Sequence, residues 1–169
     1  MKKKITLEKL KLSHSNELFP LFKEDNFKFT SFKPHKNIQE TKKKIKNLIL
    51  KQNKKIALHF CLKLNRKIIG LISILNLTKP GYYKILNTEL SFWIGKKYQR
   101  KNYGYIGCKK LIEYCKKKQF KRLVIFNHKK NKPSERLSFK LGFKKLCLMK
   151  KLYMKNNKFI DAYFWEKLL

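Results

Sequence analysis

Two short segments of the chain carry residue types whose spacing suits chemistry. The first is Gln99, Arg100, Lys101, Asn102, Tyr103, Gly104 and Tyr105, a turn that follows an apolar run ending at Trp93, Ile94 and Gly95 and opens a helical pattern. A helix N-terminus leaves backbone N–H groups unpaired at the positive end of its dipole, and a residue tolerant of left-handed geometry lets the backbone approach an anion. Lys96, Lys97, Arg100 and Lys101 add a positive field. Phosphate binding is therefore one reading of this turn, and an ordinary basic strand-to-helix connection is the other. The second segment is Asn131, Ser134 and Arg136 followed by Lys140, Leu141, Gly142 and Phe143. Asn131 or Ser134 caps a helix there, and Gly142 suits a left-handed C-cap. Glu89 is the only carboxylate between Glu40 and Glu113. It reads either as a base at the end of a strand or as a solvated residue paired with a neighbouring Lys.

The elements that position these residues follow from periodicity. Ile5, Leu7, Leu10 and Leu12 predict a strand over 5–12, with Ser13 and Ser15 as N-caps for a short helix over 16–24. The aromatic, aperiodic stretch 27–34 reads as a loop. Ile38, Thr41, Ile45, Leu48, Ile49 and Gln52 then recur at helical spacing after Asn37. Strict alternation over 56–64, a turn at Asn65 and Arg66, and a denser run over 67–77 predict a hairpin, with Gly70 marking a close backbone approach. Pro80 and Gly81 signal a turn within 78–83, and a further strand spans 85–94. A helix over 105–118, a short buried strand over 123–126, and a helix ending at Gly142 come next. Two strands over 143–151 and 159–168 close the chain, joined by Asn156 and Asn157 in a turn of the I′ kind. The expected order is strand, two helices, three strands, helix, strand, helix, two strands.

Taken together, the two segments resemble the GNAT acetyltransferase superfamily, in particular its RimJ and RimL branch of ribosomal-protein N-terminal alanine acetyltransferases. That branch pairs a Q/R-x-x-G-x-G/A turn with a downstream N-x-x-S-x-R and K-L-G-F, in this order and at about this distance. The resemblance spans nearly the whole chain, including Ile68, Ile69 and Gly70 and the late Asp161. The family's first glycine is Asn102 here, the non-glycine residue most at ease with positive φ. The resemblance implies an α/β (α+β) GNAT fold: a mixed, mostly antiparallel sheet of six to seven strands, splayed at the cofactor site and flanked by about four helices. It implies acetyl-CoA as co-substrate and no metal. The strand end at Trp93 and Ile94 would pair with the pantetheine arm, and Gln99 to Tyr105 would hold the pyrophosphate. Asn131 would bind the cofactor arm, with Ser134 near sulfur as the acid and Glu89 as the base. Tyr103 and Tyr105 are alternative proton donors, and Phe27, Phe29 and Phe32 line either the acceptor site or the core.

Composition bounds the rest. With 43% hydrophobic and 14% aromatic residues the chain is a folded protein rather than a disordered polycation, and its 169 residues fit one domain spanning 1–169. The net charge of +34 comes from 40 Lys and only 4 Arg, beside 2 Ala and 1 Val, the pattern of drift toward AT-rich codons. Phosphate-reading surfaces favour the planar fork of Arg, so the excess Lys reads mainly as background. Cys61, Cys108, Cys115 and Cys147 form no C-x-x-C pair, and His14, His35, His59 and His128 are scattered. Residues 5–9 alternate instead of forming a signal core, and no apolar run nears the roughly 18 residues of a membrane helix. The expected protein is a cytoplasmic monomer or homodimer without membrane contact. Its acceptor is a protein N-terminus, with ribosome or RNA contact through the basic surface. Two other readings stand beside this: a polyamine, aminoglycoside or other small-amine acetyltransferase, and an RNA- or ribosome-binding module on a degenerate scaffold.

Overall fold

A sheet that is apolar on both faces needs helices on both, and the interior strands of this chain carry Ile and Leu on each side. The computed structural model describes residues 3–24, 27–30, 32–77 and 88–169. Along it run β1 (Ile5–Lys9), α1 (Ser15–Lys23), α2 (Ile38–Asn53), β2 (Leu58–Leu64), β3 (Lys67–Leu75), β4 (Thr88–Ile94), α3 (Tyr103–Lys117), β5 (Arg122–His128), α4 (Lys132–Lys140), β6 (Lys144–Lys155) and β7 (Lys158–Leu168). Short 3-10 turns cover Leu12–His14 and Lys96–Tyr98. The seven strands form one sheet in the order β1-β2-β3-β4-β5-β7-β6. Among its described pairings only β4 with β5 is parallel. Architecture and element order are those expected.

One face of the sheet buries Leu62, Ile72, Leu90 and Ile125 under Cys108, Leu111, Ile112 and Cys115 of α3. The other buries Leu71 and Trp93 under Leu18, Leu21 and Phe22 of α1 and Ile45 and Leu48 of α2. Each such side chain contributes about 1.5–3 kcal/mol by leaving water. Gly70 is required by contact: a Cβ there would lie 2.2 Å from the Trp93 carbonyl oxygen and 2.9 Å from the Ile94 Cα. The β3 backbone therefore lies directly against the end of β4, as the sequence predicted.

The differences lie at element ends. β1 stops at Lys9, and neither Ser13 nor Ser15 caps α1. His14 occupies the N-cap position, while the Ser15 hydroxyl donates to the Leu12 carbonyl at 2.6 Å. Asn37 does cap α2, its Oδ1 accepting from the Glu40 N–H at 3.0 Å. β2 begins at Leu58 because the N–H groups of Ile56 and Ala57 turn back to the Lys51 carbonyl at 2.9 and 3.3 Å. Asn65 and Arg66 have φ of 47° and 73°, and Asn156 and Asn157 have 50° and 58°, as type I′ turns require. β3 ends at Leu75, before Asn76 turns to φ 56°. The predicted turn at Pro80 and Gly81, and positions 85–87 of the predicted strand, lie outside the described residues. β5 extends past Phe126 to His128. β6 continues past Lys151 to Lys155 through a bulge at which the Lys151 N–H donates to Asp161 Oδ1 at 3.0 Å. Of the four cysteines, Cys61, Cys108 and Cys115 are buried and Cys147 is exposed.

Candidate active site

Two parallel strands that part company leave a gap with backbone donors and acceptors on both sides. β4 and β5 pair only at Thr88 with Leu123 and at Glu89 with Val124, although β4 runs on to Ile94 and β5 to His128. Alternation decides which groups face that gap. Gly95 N–H bonds the Ile69 carbonyl, and Trp93 is opposite Leu71 in the same antiparallel ladder. The backbones of Glu89, Ser91 and Trp93 therefore turn toward β3, and those of Phe92 and Ile94 toward the gap. Trp93 differs from its expected role. Its backbone faces β3 and its ring stacks at 5.0 Å on Phe22 beneath α1, so Phe92, which the sequence reading passed over, takes its place beside Ile94 at the gap.

At the far end of β4 the chain turns through Lys96–Tyr98 into α3. The Gln99 amide donates to the Ile94 carbonyl at 2.9 Å, fastening the turn to the strand end. Arg100 and Asn102 both adopt left-handed φ, 57° and 63°. Asn102 is the N-cap residue of α3, yet its side chain caps nothing. Among the described residues, the N–H groups from Arg100 to Tyr105 meet no acceptor, and the first helical bond is Ile106 N–H to the Asn102 carbonyl at 3.2 Å. Gln99, Arg100, Lys101 and Asn102 are exposed, Tyr103 and Gly104 are buried, and Tyr105 lies 4.5 Å beneath the Lys140 ammonium. A Cβ on Gly104 would lie 3.0 Å from the Ile94 side chain and 3.6 Å from that of Leu137, so glycine lets α3 start against both β4 and α4. Lys140 of α4 also reaches Asn102 Oδ1 at 3.2 Å.

On the far side of the gap, α4 begins as a capped helix. Asn131 Oδ1 accepts from the Ser134 N–H at 3.3 Å, so Asn131 is the cap and Ser134 lies inside the first turn. The Ser134 hydroxyl accepts from the Asn127 amide at 2.7 Å, and Ser138 donates to Asn127 Oδ1 at 2.9 Å. Asn127, on β5, is 2% exposed and was not singled out from the sequence. Its signal was there: a polar residue continuing the inward parity of Leu123 and Ile125.

Glu89 points the other way. In a strand, Glu89, Ser91 and Trp93 share one face with Val124, Phe126 and His128, while Asn127 and Ser134 lie on the other. Glu89 and Ser134 thus lie on opposite faces of the sheet. Glu89 accepts from the Asn76 amide at 3.3 Å, and burial pushes its carboxyl above the ordinary range. Among the described residues no Lys or Arg pairs with it. The Phe-rich segment divides: Phe27 and Phe32 pack on Trp93, but Phe29 sits edge-on to His128 at 4.9 Å, on the Glu89 face of the sheet. Tyr153 packs edge-on to Phe126 there, and Lys155 ties the end of β6 to the carbonyls of Phe27, Lys28 and Thr30 at 2.6–3.2 Å.

A ligand with a pyrophosphate and an extended amide arm fits these features: N–H groups at the start of α3 that meet no acceptor among the described residues for the anion, and the stretch of β4 beyond its last pair with β5 for the arm. Among the described residues no group of three His, Cys, Asp or Glu is placed to hold a metal ion, and no helix is long and apolar enough to cross a membrane.

No curated protein matches the chain by sequence. Among solved structures, the microcin C7 self-immunity acetyltransferase MccE, in complex with acetyl-CoA and AMP, superposes with a TM-score of 0.87 at 23% identity, over 98% of this chain and 92% of that one. The Salmonella typhimurium acetyltransferase that modifies the N-terminal serine of ribosomal protein L7/L12 gives 0.85 at 16%, over 98% and 95%. The ribosomal-protein-S5-alanine acetyltransferase of Vibrio fischeri gives 0.84 at 19%, over 99% and 94%. The model of the acetyltransferase (GNAT) domain matches residues 4–144. The parted strands, the uncapped start of α3 and this match give one conclusion: the chain belongs to the GNAT family and is an acetyl-CoA-dependent N-acetyltransferase.

Proposed function

We propose that the chain, acting as a single domain, acetylates the N-terminal α-amine of a protein, a ribosomal protein first among candidates, by direct attack within a ternary complex. Acetyl-CoA supplies the activated thioester. Backbone N–H groups of residues 100–105 hold its pyrophosphate, and the Phe92 and Ile94 edge, with Asn131, holds its arm. Glu89 takes the amine proton through water, and Ser134 hydrogen-bonds to the departing sulfur. The N–C bond forms as the C–S bond breaks, with one net proton passing from amine to sulfur. The observation that supports this reading is that Glu89, in the last β4–β5 pair, and Ser134, bonded to Asn127 of β5, lie on opposite faces of the sheet where the two strands part. A carboxyl raised by burial is a better base near neutrality. An α-amine with a pKa of about 8 is already partly neutral at pH 7, whereas a lysine near 10.4 is not.

Support for a protein acceptor comes from the ribosomal substrates of the Salmonella and Vibrio structures and from the scattered carboxylates. A polycationic small amine needs clustered acids. Here Glu24 bonds the Lys96 N–H, Glu40 the Lys36 N–H, and Glu89 bonds Asn76, each in a different place; Asp25 lies outside the described residues. Thiol release from acetyl-CoA in the presence of peptides beginning with Ala or Ser, beside spermidine and an aminoglycoside, tests the proposal. Turnover on the peptides is expected, and Ser134→Ala should lower kcat about tenfold or more while leaving acetyl-CoA affinity intact. Turnover confined to small amines contradicts the acceptor. RNA binding with a steep salt slope and no acetyl-CoA affinity contradicts the whole reading.

A further inference from the structure

Ser134 works as a donor to sulfur only if its proton is not already engaged elsewhere, and the side chain beneath it decides that. The Asn127 amide N–H₂ donates to Ser134 Oγ at 2.7 Å, which uses a lone pair of the hydroxyl and leaves its hydrogen available for another acceptor. Asn127 has little freedom to turn. It is 2% exposed, and its Oδ1 accepts at 2.9 Å from the hydroxyl of the fully buried Ser138, whose single hydrogen is shared with the Ser134 carbonyl at 3.1 Å. The i,i+4 spacing of Ser134 and Ser138 puts both hydroxyls over one strand residue. The helical cap at Asn131 fixes the same turn from outside.

We propose that Asn127 is a positioning residue for the transfer reaction, holding the Ser134 hydroxyl as a hydrogen-bond donor toward the leaving sulfur; this rests on the role proposed above for Ser134. No new bond is made or broken by Asn127. Its amide keeps both protons throughout, and the proton count of the transfer is unchanged. The ionisable groups around the pair are Tyr163, its register partner on β7, Lys145 of β6 over the Tyr163 ring at 4.3 Å, and Glu135 of α4, which holds Lys145 at 2.8 Å. His128 and Glu89 face the opposite side of the sheet.

Asn127→Asp is close to isosteric and replaces the donating amide by a carboxylate, so the Ser134 hydroxyl turns to donate inward. Three readouts test the proposal: kcat and KM for acetyl-CoA on the peptide that the wild type uses, the ultraviolet titration of the bound CoA thiol, and the melting temperature. The expected result is a kcat lowered about tenfold with KM within about twofold of wild type. The pKa of bound CoA thiol should rise relative to wild type, since a donor to the thiolate has been withdrawn. In a Ser134→Ala background the same change should leave kcat and thiol pKa unmoved, because the two residues act as one unit. Ser138→Ala, which frees the amide to rotate, should show a smaller shift in the same direction. If Ser134→Ala slows turnover but Asn127→Asp leaves kcat and thiol pKa at wild-type values, the positioning role is wrong and the proposed acid stands. An equal loss from Asn127→Asp with and without Ser134 also overturns it, as a merely structural effect. If Ser134→Ala itself changes nothing, it is the acid assignment that fails.

Discussion

The two helices that flank the gap begin in opposite ways. α4 is closed: Asn131 caps its first turn, Pro133 follows, and the turn offers a side chain, Ser134, rather than bare backbone. α3 is open: Asn102 stands at the cap position in a left-handed conformation, contributes no cap, and among the described residues the N–H groups from Arg100 to Tyr105 meet no acceptor. An uncapped helix start is costly in an ordinary protein, since a good cap is worth about 1 kcal/mol. α1 also starts without a side-chain cap, so what sets α3 apart is the pair of left-handed residues, Arg100 and Asn102, in a basic run at its start, the place proposed above for the pyrophosphate.

The comparison can be broken most sharply at Gly104. Gly104→Val places methyl groups where even a Cβ would be 3.0 Å from Ile94, pushing α3 off β4. Calorimetry should show acetyl-CoA affinity reduced by about 100-fold or more. Normal affinity would move the pyrophosphate elsewhere. Next in size is Glu89→Gln, expected to lower kcat by about 10²-fold. Because burial raises the Glu89 carboxyl, the wild-type rate should fall as pH drops through a value above the usual carboxylate range, and this limb should vanish in the variant. A pH–rate profile of kcat/KM for both proteins checks it.

Closing and opening the helix ends should then have small, opposite effects. Asn131→Ala removes the α4 cap and should lower the melting temperature by about 2–4 °C, equivalent to about 1 kcal/mol. Asn102→Gly relieves a left-handed side chain without removing any cap. It should raise the melting temperature by a degree or two, about 0.5 kcal/mol, and leave CoA affinity equal or tighter. A fall in both would show that Asn102, through its bond to Lys140, holds the turn.

Why one half of this site was readable and the other was not follows from the same contrast. The α3 turn advertises itself through Asn and Gly in a basic run, and the α4 cap through Asn131 with Ser134 three residues on; both are local, and both end up where the sequence placed them. Trp93 was misjudged because a strand residue's direction depends on the ladder beside it, and the β3 register sends its backbone away from the gap. Asn127 lies one residue beyond Phe126, where the apolar run ends and the sequence predicts the strand to stop. Its meaning lies in Ser134 and Ser138, which reach it only once α4 folds back over β5. The long β6 was cut short at Lys151 for a similar reason, since the bulge there depends on Asp161 from β7. Ser13 and Ser15 had the right chemistry for a cap, but the 3-10 turn at Leu12–His14 moved the helix start by one residue.

The most direct test of the central claim is an amide-resolved NMR titration with CoA. The amides of residues 100–105, which meet no acceptor among the described residues, should move most and downfield as they meet the pyrophosphate, while the amide of Ser134, already bonded to Asn131, moves less. Saturable CoA binding that leaves the amides of residues 100–105 in place would contradict it.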